Sequence, residues 1–333
     1  MNSPEQPASI LALADLATPM AVRVAATLRL VDHAGSTGAT AEELAARTGT
    51  SAPALRRLLD HLVTIGVFDD EAASGRYRPT SLGNQMSADS PDPFALLLLD
   101  IGSAGGRAEL AFVELLSTIT SGRPAYPRRY GRDFWADLEA EPALRTSFDA
   151  QMNCRFRDYA DQIAARFDWS RFPDVLDVGG GDGTLLTAIL RAHPGVRGRV
   201  LDLAPTAAAT ERFTATGLSD RASAVAGSFF DPLPTGADAY LLSDILHDWD
   251  DELAAAILAE CARAAGAYGA VVVIEPIRGR GADTAIDLFM AMCFGGRERT
   301  VTELGALGET CGLMLRAVRP VADGRTALEF QSR

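Results

Sequence analysis

The residues best suited to chemistry stand in four short stretches. The first is Asp177-x-Gly179-x-Gly181-x-Gly183, inside VLDVGGGDGTLL (Val175–Leu186). An apolar strand-like run stops there at bare backbone, and a helix-like pattern follows. Glycines let a chain turn tightly and approach a ligand closely, and a helix N-terminus offers free N–H groups to an anion. The dinucleotide pattern GxGxxG fits poorly, because counting from Gly179 its last glycine falls on Thr184. Asp177 precedes the turn, and Asp202, 19 residues beyond Gly183, closes the next strand-like run. A carboxylate at the first position can meet a ligand's amino group. One at the second can accept hydrogen bonds from both hydroxyls of a ribose. That ordered set suits S-adenosylmethionine, its ammonium on Asp177 and its ribose on Asp202.

The second stretch is LLSDILHDWDDE (Leu241–Glu252), where His247 follows an apolar strand-like run. The third is VVVIE, in which Glu275 ends a strand-like run, and a carboxylate at a buried edge needs a partner. The fourth is GGRERT (Gly295–Thr300), with Glu298 between Arg297 and Arg299, where a surface ion pair is the plain reading. Asp248, Asp250 and Asp251 read as caps of a helix starting near Trp249 rather than as metal ligands.

The elements that must position these residues fall into three regions: 1–97, 98–170 and 171–333. Ser9 to Val31 carries apolar residues at helical spacing and reads as one helix. Ala41 to Thr48 is a short helix ended by Gly49, and Ser51 with Pro53 opens a second. GVFDDEAASGRYRPTSLG reads as a two-stranded wing, so the whole is a winged helix. Acids outnumber arginines over residues 1–100 and the wing begins Asp69, Asp70, Glu71, which favours a dimerisation or lid module over a DNA reader. Residues 94–167 read as helices. From Arg171, the runs Val175–Val178, Val200–Leu203, Ala222–Ala226, Ala239–Ser243 and Val271–Glu275 alternate with helical stretches and predict a parallel sheet. Leu315–Val321 and Ala327–Gln331, with no long helix between them, predict a closing antiparallel pair.

Composition excludes several classes. The 333-residue chain has a net charge of −13, which argues against nucleic acid and against an anionic membrane surface. All 31 of its basic residues are arginines, so no lysine base, Schiff base or P-loop is available. The four cysteines form no CxxC pair, so neither a zinc site nor a disulfide framework is indicated. No basic n-region or membrane-length apolar run is present, and a cytoplasmic location is expected.

With GSFFDPLP (Gly227–Pro234) added, the glycine turn, LHDWDDE, GGRERT and the winged-helix start make the chain resemble the S-adenosylmethionine-dependent small-molecule O-methyltransferases. This group contains plant caffeic acid O-methyltransferase and bacterial polyketide-tailoring enzymes, and the resemblance covers essentially the whole chain. It implies an α/β, Rossmann-like class I methyltransferase domain. Its sheet is mostly parallel and seven-stranded with the last strand antiparallel, and a mainly helical winged-helix dimerisation domain precedes it. Gly179 and Gly181 would lie under the methionine part, Asp202 and Leu203 at the ribose, and Phe229 on the adenine. Ser228 stands where the family often has an aspartate, and Ser243 where plant enzymes often have a lysine. His247 would be the general base, flanked by Glu275 and Glu298. Phe148, Met152, Leu288, Phe289 and Met292 would line the pocket of a flat aromatic acceptor. Arg155, with Arg157 close by, could hold a carboxylate on it. The family is typically homodimeric and metal-independent, so a homodimer and no metal are expected.

The activity so implied is methyl transfer from S-adenosylmethionine, leaving S-adenosylhomocysteine, to a hydroxyl of an aromatic or polyketide-type molecule in secondary metabolism. A phenol at about 10 and a histidine at about 6.5 leave ~5 kcal/mol to climb in water. A carboxylate on one ring nitrogen would narrow that gap and leave the other nitrogen free to take the proton. Two alternatives are a hydroxylase or decarboxylase on the same fold and a DNA-binding regulator that senses the cofactor.

Overall fold

The computed structural model describes residues 9–71, 73–203 and 207–333. Two compact units form, one from the residues up to Leu110 together with Glu141–Gln151, the other from Ala111–Ala140 and Met152–Arg333.

In the first unit, the expected single helix over Ser9–Val31 is three: α1 (Ile10–Leu13), α2 (Ala17–Thr27) and α3 (Leu30–Ala34). The Asp15 carboxylate accepts from the Ala17 and Thr18 amides and starts α2 anew, and Arg29, at φ 53°, turns the chain before α3. A capping box of Thr40 and Glu43 opens α4 (Ala41–Thr48), and Gly49, at φ 68°, closes it. The next helix, α5 (Ala52–Thr64), buries Leu55, Leu59 and Leu62 along one stripe. Strands β1 (Phe68–Glu71) and β2 (Arg76–Pro79) pair as the wing, and Asp69, Asp70 and Glu71 face solvent. Helices α6 (Phe94–Leu99) and α7 (Ala104–Leu110) complete the unit. Its core holds Leu30, Leu44, Leu59, Leu62 and Phe68, all fully buried. Each such side chain contributes roughly 1.5–3 kcal/mol.

The second unit begins with α8 (Leu115–Ser121), α9 (Tyr126–Tyr130) and α10 (Phe134–Ala140). The long α11 (Pro142–Arg166) contributes its residues from Met152 onward. Strands β3 (Asp174–Val178), β4 (Arg197–Asp202), β5 (Ala222–Ala226), β6 (Ala239–Ser243), β7 (Ala270–Glu275), β8 (Leu313–Ala322) and β9 (Arg325–Ser332) form one sheet in the order β5-β4-β3-β6-β7-β9-β8. Five strands run parallel, and β9 lies antiparallel between β7 and β8. The covering helices include α12 (Thr184–Ala192), α13 (Ala207–Ala215), α14 (Asp251–Ala265), α15 (Thr284–Cys293) and α16 (Val301–Thr310).

The central strands are apolar throughout because both faces are covered. Val175, Leu241 and Val272 pack into one core with Ile163, Trp169 and Phe213. Leu176, Leu242 and Val273 alternate into the other, with Ile257, Leu304 and Phe330. The second strand starts three residues before the expected Val200 and ends at Asp202. Its early part is polar, and Gly198 reads as a breaker, yet a Cβ there would sit 2.5 Å from Leu186 Cδ1. Only glycine lets α12 pack that closely on the strand. Strand order reverses between β3 and β6, and in such sheets ligands bind at the carboxyl ends beside that point.

Candidate functional site

The turn after β3 is shaped by three glycines at positive φ: Gly179 at 76°, Gly181 at 57° and Gly183 at 76°. A Cβ at Gly179 would lie 2.5 Å from Ile245 Cδ1, and one at Gly183 2.8 Å from Phe213 Cζ, whereas Gly181 faces open space. The loop is packed from below and bare on one side. Asp177 lies beneath the turn rather than at its edge: a Cβ on Gly180 would come within 2.6 Å of the Asp177 carboxyl. Its Oδ2 is buried without a hydrogen-bond partner. Burial, and then the charges of Asp202 and Asp182, push this carboxyl up to about 7.

Asp202 ends β4 and accepts from the Gly181 amide at 2.8 Å and from the Leu203 amide at 2.7 Å. It therefore ties the bare loop to the second strand. Leu203 is largely exposed beside it. The Gly227 amide donates to the Asp202 carbonyl, which fixes the start of Ser228–Phe229. The Phe229 ring meets Trp249 edge-on at 5.9 Å, and Ser228 Oγ accepts from the Phe230 amide. Ser243 ends β6 with a buried, unpartnered Oγ. An open glycine cradle, a carboxylate on strand two and two orphaned buried polar atoms fit the S-adenosylmethionine that the resemblance implies.

The next turn carries the histidine. Asp244 follows β6 in a left-handed conformation, φ 51°, and its amide donates to the Ile274 carbonyl. The kink lays Ile245 against Gly179 and starts the short turn Leu246–Asp248. Arg325 of β9 donates to Asp244 Oδ2 through Nη2 at 2.7 Å and Nε at 3.2 Å, and its guanidinium stacks on the Tyr159 ring. Burial opposes the Asp244 charge, but Arg325, His247 and Arg155 outweigh it and hold this carboxyl below the usual range. Replacing Arg325 by methionine would strand a buried carboxylate. A loss of ~3–5 kcal/mol in urea unfolding is expected.

His247 itself is buried, and its Nδ1 lies 3.1 Å from Oε1 of Glu298, which is 1% exposed. The surface ion pair read from the sequence thus gives way to a buried histidine–carboxylate pair. Glu275 does not touch the ring. Its Oε1 accepts from the Leu246 and His247 amides at 2.5 and 3.1 Å, holding the backbone that presents the ring. Only Asp250, of the three aspartates read as caps, is the N-cap of α14. Asp248 is half-buried with Oδ1 3.6 Å from His247 Nε2, and Asp251 pairs with Arg297 and Arg299. Burial works against an imidazolium here. Asp248, the Glu298 hydrogen bond, Asp244 and Glu275 outweigh it and raise His247 to about 9. The carboxyls of Glu275 and Asp248 rise to about 7 and about 6, foremost through burial.

Several residues that shape the site are not assigned a role by the sequence reading. Arg299 is fully buried and donates to the Leu246 and Trp249 carbonyls, each at 2.8 Å, so it braces the histidine turn. Its place in GGRERT was the available sign. Trp135 stacks on Trp249 at 5.5 Å and on Phe294 at 5.2 Å, joining the Phe229 side to Phe289. Of the expected acceptor residues, Met152 and Arg155 lie on α11, and Leu288, Phe289 and Met292 on α15, all in the second unit. Phe148 belongs to the first unit. Phe289 packs on Phe112 at 6.1 Å, Leu288 is exposed, and Met292 is wholly buried.

A doubly wound sheet with a bare turn at its switch point, a carboxylate on strand two and a buried histidine–carboxylate pair beside them defines a Rossmann-like methyltransferase. Residues 112–314 match the O-methyltransferase domain, and residues 11–89 match the O-methyltransferase dimerisation domain. The chain belongs to the O-methyltransferase family. It is 51% identical over 314 residues to the 2,7-dihydroxy-5-methyl-1-naphthoate 7-O-methyltransferase of Streptomyces carzinostaticus, covering 93% of this chain and 94% of that one. It is 44% identical over 326 residues to the aclacinomycin 10-hydroxylase RdmB of Streptomyces purpurascens, covering 96% and 86%. Among solved structures it matches the O-methyltransferase NcsB1 of neocarzinostatin biosynthesis in complex with S-adenosylmethionine and 2-hydroxy-5-methyl naphthoic acid. The TM-score is 0.92, with 48% identity and coverage of 99% and 100%.

Proposed function

We propose that this protein methylates a phenolic hydroxyl on a fused-ring aromatic acid of naphthoate size, as a homodimer, in natural-product biosynthesis. The observation that carries this reading is the buried His247–Glu298 pair, set by Ile245 against the glycine turn. S-adenosylmethionine, when bound, supplies an electrophilic methyl for in-line displacement. Asp202 would accept from the ribose hydroxyls, Phe229 would cover the adenine, and the open Gly181 face would leave room for the methionine end. Glu298 accepts a hydrogen bond from Nδ1–H of His247, which holds the tautomer whose Nε2 lone pair is free to accept the acceptor's proton. Raising the imidazole to about 9 brings it close to a phenol at about 10 and removes most of the ~5 kcal/mol gap in water. Proton transfer is then nearly balanced, and alignment supplies the rest. The similarity to naphthoate-acting relatives supports the acceptor class, and the dimerisation-domain match supports the homodimer.

Arg155 sits where its charge helps to lower Asp244 and partly opposes the rise of Asp248. We assign it to the acceptor's carboxylate. Arg155→Ala is expected to raise KM for a hydroxynaphthoic acid at least tenfold and to leave KM for the matching naphthol unchanged. Equal effects on both would sink the assignment.

The test of the function is product mass. The protein is incubated with S-adenosylmethionine and a panel of hydroxynaphthoic acids and larger polyketides. A gain of one methylene supports the reading. A gain of one oxygen instead would place the activity with the hydroxylase relative, whose similarity keeps that second reading open.

A further inference from the structure

The cofactor turn is gripped by a residue of the helix that follows β4. Asp182, in the middle of the turn, has its carboxylate engaged by Thr184 and Arg212. Its Oδ1 accepts from the Thr184 amide at 3.0 Å and from Thr184 Oγ1 at 2.6 Å, which fixes the first turn of α12. Its Oδ2 pairs with Nη2 of Arg212 on α13, and Arg212 Nε donates to the Asp182 carbonyl at 3.0 Å. One guanidinium therefore binds both the side chain and the backbone of a single loop residue. The neighbouring Phe213 is buried and fills the space under Gly183, where a Cβ would lie 2.8 Å from its ring. Two adjacent residues of α13 thus dock onto the turn, one by charge and one by packing.

We propose that Arg212 is a positioning residue for the cofactor: through Asp182 it holds the glycine turn in the shape that accepts S-adenosylmethionine. The inference rests on the reading that this turn holds that cofactor. The physical case is the conformational freedom of the loop. Gly179, Gly180, Gly181 and Gly183 have no side chains to anchor them, and the turn is held from outside by the Leu201 carbonyl on the Gly179 amide, by Asp202 on the Gly181 amide and by Arg212 on Asp182. Leu201 and Asp202 tie the loop to β4. Arg212 ties the far end to the helix that follows β4. Charge-assisted bonds of a planar guanidinium fix both distance and angle, which an ammonium cannot do with a carbonyl and a carboxylate together. Loosening the clamp lets the turn sample shapes that do not bind, and affinity falls by the fraction that remains competent.

The test is titration calorimetry with S-adenosylhomocysteine on the full chain, with steady-state kinetics beside it. Arg212→Met is expected to weaken binding on the order of tenfold, with a matching rise in KM for S-adenosylmethionine. Turnover at saturating cofactor and KM for the acceptor stay within about twofold. Arg212→Lys recovers part of the loss. Asp182→Asn combined with Arg212→Met is no weaker than Arg212→Met alone, because the two act as one clamp. If Arg212→Met melts early, Arg212→Gln, which keeps one donor for the Asp182 carbonyl, carries the measurement. Unchanged affinity, or a fall in turnover with affinity intact, overturns the proposal. Asp202→Ala separates the two ideas. If the wild type does not bind S-adenosylhomocysteine, the cofactor reading falls. If the wild type binds, Asp202→Ala loses binding and Arg212→Met keeps it, only the clamp falls.

Discussion

His247→Ala is expected to lower kcat by 10²- to 10⁴-fold while leaving S-adenosylhomocysteine affinity near its wild-type value. General-base catalysis is worth that much, and the imidazole's polar neighbours are Glu298 and Asp248, whereas it is Ile245 that packs on Gly179. The pH profile gives the sign. With the ring raised to about 9, the free enzyme carries an imidazolium at neutral pH, so kcat/KM rises with pH until the ring is neutral near 9. Glu298→Gln removes one of the causes that raise the ring. The same rise should then finish at lower pH, with the acceptor's own titration common to both enzymes. The plateau should also fall, since an amide no longer stabilises the imidazolium formed in transfer. Single-turnover rates from pH 6 to 10 would show both. A profile that does not move between the two proteins would remove Glu298 from the mechanism, and an active alanine variant would leave alignment alone as the means.

Gly296→Ala is expected to cost at least about 100-fold in kcat and ~1–3 kcal/mol in stability. A Cβ on Gly296 would lie 2.0 Å from the His247 carbonyl oxygen and 2.7 Å from the Trp249 amide. Backbone meets backbone there, and no side-chain rotation relieves it. The segment must retreat, taking Glu298 off Nδ1 and straining the Arg299 bonds to Leu246 and Trp249. Gly305→Ala is the control. It lies inside α16, its Cβ would meet only Leu315 Cδ2 at 3.7 Å, and alanine favours the helix. Urea unfolding and steady-state kinetics on the pair separate the approach at Gly296 from glycine replacement in general. Wild-type turnover in Gly296→Ala would mean that the turn and its carboxylate are not coupled.

The same division runs through what could be read in advance. The central strands were legible because strands buried on both faces must be apolar along their length, and Ala239–Ser243 has the bounds that pattern gave; the edge strand Ala222–Ala226, only partly buried, also has the expected bounds. The glycine turn and Asp202 were legible because a tight turn and a strand end are local events, written in adjacent residues. The helix over Ser9–Val31 was misread as continuous because its breaks lie in one side-chain cap, at Asp15, and one left-handed arginine, Arg29, neither of which disturbs apolar spacing. The early part of β4 was missed because Gly198 breaks strands locally but here makes room for Leu186.

Sequence by itself determined the element types, the cofactor turn, the acids at the strand ends and the place of His247 just past β6. Only the tertiary structure decided what each acid does. Glu275 and Glu298 lie 23 residues apart in the chain, and nothing local says that one holds the His247 backbone and the other its ring. Asp248 and Asp250 look alike in LHDWDDE, yet one lies half-buried beside the imidazole and the other caps α14. The reason is physical: a carboxylate's role is set by its burial and by the donors that reach it, and here those donors come from strands and turns far apart in sequence. Arg325, at the start of β9, reaches Asp244 because the sheet brings that strand start beside the carboxyl end of β6, and Arg299, in the loop before α16, reaches Leu246 across the same end of the sheet.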